Sequence, residues 1–123
     1  MAKIQSCTFG CSVEAALSVI GGKWKGVILF HLLDGTMRFN ELHRELPGIT
    51  QRMLTLQLRE LEADQVVHRK VYAEVPPRVE YSLTEFGLTL KPILMDLRLW
   101  GDSYKNQLGL LRQQQQDYVE AEV

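Results

Sequence analysis

Thr50, Gln51, Arg52, Thr55 and Arg59 place two guanidinium groups, two hydroxyls and one carboxamide within ten residues. On a helix with 100° between residues, Arg52, Thr55 and Arg59 share one side. Guanidinium groups pair with phosphates or fork onto the acceptor atoms of a purine, and hydroxyls and amides hydrogen-bond base edges. A helix N-terminus beginning at Thr50 would add backbone N–H donors for an anion. This is chemistry for the major groove of double-stranded DNA; the plain alternative is a solvated helix face. Arg38 and Lys23 add cations upstream. A lysine at a helix start opposes the macrodipole, so a nearby phosphate would account for Lys23; otherwise Lys23 and Lys25 are solvated groups flanking a core Trp24. Downstream, Arg78, followed by Lys70 and Arg69, faces Glu74 and Glu80 on a candidate hairpin. Cations there can track the minor groove or its phosphates, or simply guard a strand edge.

Sulfur chemistry is confined to Cys7 and Cys11. A structural disulfide is not expected in a reducing compartment. Their Cys-x3-Cys spacing could open a metal site, but His31, His43 and His68 supply no ligand spacing, so neither metal nor cofactor is expected. A thiol beside a helix N-terminus is favoured as thiolate, which makes Cys11 a candidate oxidant sensor and Cys7 its candidate resolving partner; the alternative is an inert cysteine. His31 reads as a core histidine, and His43 and His68 as surface groups. No nucleophile elbow or phosphate loop is present, so an enzyme is not expected.

These groups need elements to hold them. Ser12 is expected to cap a first helix with Val13, Leu17 and Ile20 at helical spacing, ended by Gly21-Gly22. A second helix runs from about Lys23 to Leu33, apolar on nearly every side. Asn40 caps a short helix over 41–46, stopped by Pro47-Gly48, and Thr50 caps a fourth over 51–64 whose Leu54, Leu58 and Leu61 face inward. Residues 66–72 and 79–83 read as two strands joined by a stiff tip at Pro76-Pro77. Thr84 then caps a long helix. Its Leu90, Ile93, Leu97, Trp100, Tyr104, Leu108 and Leu111 recur at three- and four-residue steps. That stripe exceeds what a small domain covers, so a homodimer is expected through it, with Val13, Leu17 and Ile20 joining the interface. Phe86, Trp100 and Tyr104 read as dimer core rather than an effector box.

The whole chain sets the limits. Its 123 residues suit one domain, and 46% hydrophobic with 24% charged residues is ordinary for a globular protein. The net charge of −1 gives no bulk attraction to a polyanion. Residues 1–83 hold ten basic and nine acidic groups, residues 84–123 four and six, so an anion-binding surface belongs to the earlier part. No apolar run is long enough to span a bilayer, and the first residues lack a signal peptide's apolar segment, so a cytoplasmic protein with no membrane partner is expected.

Two short helices joined by a Pro-Gly turn and followed by a hairpin give the winged helix-turn-helix layout. The fold class is therefore α+β, mainly helical, with a two-stranded β-hairpin wing and a long C-terminal dimerisation helix. Cys11-Ser-Val-Glu14, Ile20-Gly-Gly-Lys-Trp24, Arg38-Phe-Asn-Glu-Leu42, Leu46-Pro-Gly-Ile-Thr50, Met53-Leu-Thr55, Leu58-Arg-Glu-Leu-Glu62 and Val75-Pro-Pro-Arg-Val-Glu-Tyr-Ser-Leu-Thr84 together resemble the HxlR-type bacterial transcription regulators. The resemblance covers about residues 11–101. It implies a dimeric DNA-binding regulator related to MarR-like winged helices, often answering electrophiles, oxidants or small effectors, with Cys11 at the position of the family's sensing cysteine. The expected organisation is an arm over 1–10, the DNA-binding domain over 11–101, a dimer helix over 84–116 and an acidic tail over 117–123. Gln65 departs from the glycine usual after the recognition helix. Leu56 stands where the family often has a polar residue, so base preferences carried over from it stop there. A winged-helix module that binds protein and not DNA is the rival reading.

Overall fold

The computed structural model describes residues 10–122, with side chains through Asp117. Cys7 lies outside the described residues. The chain divides into two compact units at Lys91–Pro92.

In the first unit, α1 spans Ser12–Ile20. Its N-cap is Cys11 rather than Ser12: Cys11 keeps extended backbone and its Sγ accepts from the Glu14 N–H at 3.4 Å. Ser12 is already helical and free of that duty. Glu14 in turn accepts from the Gly10 N–H at 3.0 Å, closing the first turn. After Gly22, at φ +77°, α2 covers Lys25–Leu32 and buries Ile28, Leu29 and Leu32. His31 is half-buried beside them. The next short helix begins one residue before Asn40, so α3 is Phe39–Glu45 with Arg38 as N-cap. Glu41 sets that start, because its carboxylate accepts from the Arg38 N–H at 2.9 Å. Thr50 caps α4, Gln51–Ala63, accepting from the Met53 N–H at 3.0 Å. His43 Nε2 lies 3.0 Å from the Ile49 carbonyl oxygen and ties the α3–α4 turn together.

Gln65 follows α4 at φ +65°, a left-handed conformation that glycine adopts at no steric cost. Strands β2, Val67–Tyr72, and β3, Arg78–Leu83, form the hairpin. A third strand joins them: β1, only Met37–Arg38, pairs with β3 through Met37–Tyr81 and Arg38–Glu80, giving the antiparallel order β1-β3-β2. Two residues are too few for an alternating pattern to show in the sequence. Leu42, Leu46, Ile49, Leu54, Leu58, Leu61, Val66, Val67 and Tyr81 complete the core around α2.

Thr84 caps not the long helix but a single turn, α5, Glu85–Leu88. The long helix α6 begins again at Lys91 and continues to Glu122, 32 residues or about 48 Å. Pro92 explains the break: its ring would clash with the Leu88 carbonyl four residues back, and it offers no N–H to that oxygen. The glutamine run and residues 117–122 of the expected tail are helical, and Gln113 donates to Asp117 at 3.0 Å. Within the second unit Ile93, Leu97, Trp100, Tyr104 and Leu111 are exposed, while Leu108 is half-buried. Trp100 and Tyr104 stack with ring centroids 5.5 Å apart and planes 8° apart. No helix among the described residues is long and apolar enough to cross a membrane.

Candidate nucleic-acid interface

The amphipathic pattern of α4 decides what it shows. Leu54, Leu58 and Leu61 are buried, which turns Arg52, Leu56 and Arg59 outward with Gln51 at the exposed first turn. Arg52, Thr55, Leu56 and Arg59 line one shallow groove on that outer face. Thr55 Oγ1 donates to the Gln51 carbonyl at 2.9 Å, so its proton is spent within the helix and only its acceptor capacity faces outward. Gln57 is half-buried on the flank and donates to Met53 Sδ at 3.3 Å.

A second groove joins α4 to the sheet. Thr55, Arg59 and Glu62 line one side, and Phe39, Arg69, Val79 and Tyr81 the other. Alternation along the strands explains which wing cation arrives there. Arg69 is paired with Tyr81 and shares its face, whereas Lys70, paired with Glu80, and Arg78, paired with Tyr72, project from the opposite face. Arg69 is therefore the wing residue brought to the outer face of α4, although the sequence reading ranks it behind Arg78. The signal was present in its parity with Val67 and Val71.

Arg78 is engaged within the hairpin. Its guanidinium lies 3.2 Å from Glu74 and 3.9 Å from Glu80, with its carbon 3.9 Å from the Tyr72 ring centroid. Lys70 Nζ lies 4.8 Å from the same ring. A third groove runs between Arg38, Phe39 and Asn40 and the wing tip Glu74–Val79; β1 places Arg38 opposite Glu80, in the groove that Arg78 also lines. Lys23 lines none of these three grooves; its ammonium sits 4.9 Å from the Trp24 ring. Lys25 bonds Glu60 at 2.7 Å and pins α2 to α4.

Charge pairing separates the cations further. Among the described residues Arg38, Arg52, Arg59 and Arg69 have no carboxylate within ion-pair distance. Four unneutralised guanidinium groups on α4 and the sheet beside it favour a polyanion, and their spread fits a surface rather than a pocket. Cys11 is a free, exposed thiol at the α1 N-cap. No group of three His, Cys, Asp or Glu side chains among the described residues could hold a metal ion.

Comparison with known proteins agrees with this architecture. Residues 19–108 match the model of the HxlR-like helix-turn-helix family. The HTH-type transcriptional regulator YdeP of Bacillus subtilis (strain 168) is 61% identical over 102 residues, 83% of this chain and 80% of YdeP. The redox regulator HypR superposes in its reduced form with a TM-score of 0.77 at 62% identity, over 80% of this chain and 97% of HypR. Its oxidised form gives 0.73 at 66% identity, over 76% and 96%. Diamide-treated YodB from B. subtilis gives 0.64 at 38% identity, over 76% of this chain and 94% of that one. These relatives are regulators, a non-enzymatic class. Winged helix, turn chemistry and sequence thus converge: the chain is a helix-turn-helix transcriptional regulator and belongs to the HxlR-like helix-turn-helix family.

Proposed function

We propose that this regulator binds double-stranded DNA as a homodimer on a palindromic operator, within the cytoplasm, under thiol control. The observation that carries the reading is the set of unpaired guanidinium groups on the outer face of α4 and the adjoining sheet. In this reading α4 enters the major groove. Arg52, Thr55 and Arg59 meet base edges, Thr50 and Gln51 meet phosphate at the helix N-terminus, and Arg38 and Arg69 hold flanking phosphates. Lys70 and Arg78 act near the wing tip, and Lys23 is a peripheral phosphate contact. Residues 11–101 form the DNA-binding domain, with residues 1–10 as an arm. The stripe from Leu90 to Leu111, with Val13, Leu17 and Ile20 of α1, offers apolar surface to a second copy. A dimer sets two recognition helices about 34 Å apart, one turn of duplex.

Cys11 is the proposed sensor. An oxidant such as diamide takes two electrons and two protons from two thiols and leaves one sulfur–sulfur bond. Cys11 supplies one thiol, and Cys7 or a cysteine of the second copy the other. That bond removes the Sγ cap from Glu14 and alters the spacing of the two half-site readers. The likeness to the redox regulator HypR and to diamide-treated YodB supports this part.

The test selects duplexes from the source genome with purified protein and measures affinity against salt, with and without diamide. Affinity should fall steeply as salt rises, because phosphate neutralisation releases counterions. Arg59→Ala should lose about 1–3 kcal/mol of binding where it reaches a base edge, and Arg69→Ala should flatten the salt slope by about one unit. A salt-independent or absent interaction would leave the protein-binding winged helix as the better account. Diamide should change affinity in the wild type and leave Cys11→Ser unaffected; equal affinity in all four conditions would remove the sensing role.

A further inference from the structure

Leu56 is the anomaly of the recognition face. It is 47% exposed, on a helix whose other leucines at 54, 58 and 61 are buried. Arg52 lies one turn before it and Arg59 one turn after, and the three share a groove with Thr55. Thr55 has spent its hydroxyl proton on the Gln51 carbonyl. The centre of the groove therefore offers hydrocarbon and a lone-pair acceptor, with a cation at each end. Phosphate would gain nothing from Leu56. In the major groove guanine and adenine present mainly donors and acceptors and cytosine an amino group beside a bare C5–H, whereas thymine alone adds a 5-methyl group.

We infer that Leu56 is a specificity-determining residue that packs on the methyl group of one thymine in each half-site; this rests on the reading of α4 as the DNA-reading helix. The flanking arginines then fall on acceptors to either side of that base, which fixes the register of the leucine. Burying one methyl group from water is worth about a fourfold change in affinity per half-site.

The experiment enriches duplexes from a random pool with the purified full chain, then replaces each shared thymine by deoxyuridine, which keeps every hydrogen bond and removes only the methyl. Uracil at one position should weaken wild-type binding about fourfold when one half-site carries it and about sixteenfold when both do. Leu56→Ala should bind the thymine duplex as weakly as wild type binds the duplex with uracil in both half-sites, and should not distinguish them. An alanine on an exposed helix position keeps the fold, which matching thermal unfolding would check. Indifference of the wild type to uracil at every thymine overturns the inference, as does discrimination that persists in Leu56→Ala. Failure to enrich any duplex is a different result, overturning the DNA-binding reading and this inference with it.

Discussion

Gln65 carries a left-handed backbone, φ +65°, at the junction between α4 and the hairpin. A side chain there crowds the adjacent carbonyl, a cost of roughly 1–2 kcal/mol, against which glycine's greater freedom in the unfolded chain offsets about 0.4–1 kcal/mol. Gln65→Gly should therefore stabilise the protein by about 0.5–1 kcal/mol in urea or thermal unfolding, with DNA affinity unchanged. The junction is not loose, since the Gln65 carbonyl accepts from Thr84 Oγ1 at 2.7 Å. Strain at this residue was legible in the sequence because only the residue type departs from the pattern. The placement of Arg69 was legible too, in its parity with Val67 and Val71, but a count of cations near a turn passes over which face each strand residue takes. Arg78 instead finds two carboxylates and an aromatic ring within its own hairpin.

Element boundaries follow local chemistry wherever that chemistry is short-range. Thr50 and the Pro47-Gly48 turn define the start of α4, and Gly48 takes the positive φ of +90° that its place requires. Beginnings fixed by a reaching side chain were harder to read: Glu41 moves α3 forward, and Cys11 displaces Ser12 as the cap of α1. The split between α5 and α6 was missed because the apolar spacing runs straight through Pro92 and conceals its backbone clash. α5 itself is held by a close approach. Gly87 lies against the Val66 backbone, so a methyl group there would collide with the Val66 carbonyl. That carbonyl accepts from the Thr84 N–H at 3.1 Å, so neither partner can retreat freely. Gly87→Ala should destabilise the fold by on the order of 1–3 kcal/mol, read as a lower urea midpoint with an unchanged m-value.

At the scale of the whole molecule, α6 leaves Ile93, Leu97, Trp100, Tyr104 and Leu111 exposed along one stripe. Trp100 is 68% exposed while stacked on Tyr104, an arrangement that keeps two aromatic faces available to a partner. In the proposed homodimer, Trp100→Glu should convert the dimer expected at micromolar concentration to monomer in sedimentation, because a carboxylate in an apolar interface must be desolvated without a counter-charge. A wild-type monomer at that concentration would contradict the dimer. Loss of dimerisation should also carry away most operator affinity, since two linked half-sites bind far more tightly than one.

The two-residue strand β1 has a further consequence. A lone two-stranded hairpin is marginally stable in water, and an antenna of that kind would have to lose its freedom each time it met a surface. Here Met37 and Arg38 stitch β3 to the first turn of α3. The wing is thus set in place when the chain folds, and an encounter finds it already shaped. In the proposed DNA complex its contacts would accordingly lengthen the lifetime of the bound state instead of being consumed in ordering the hairpin.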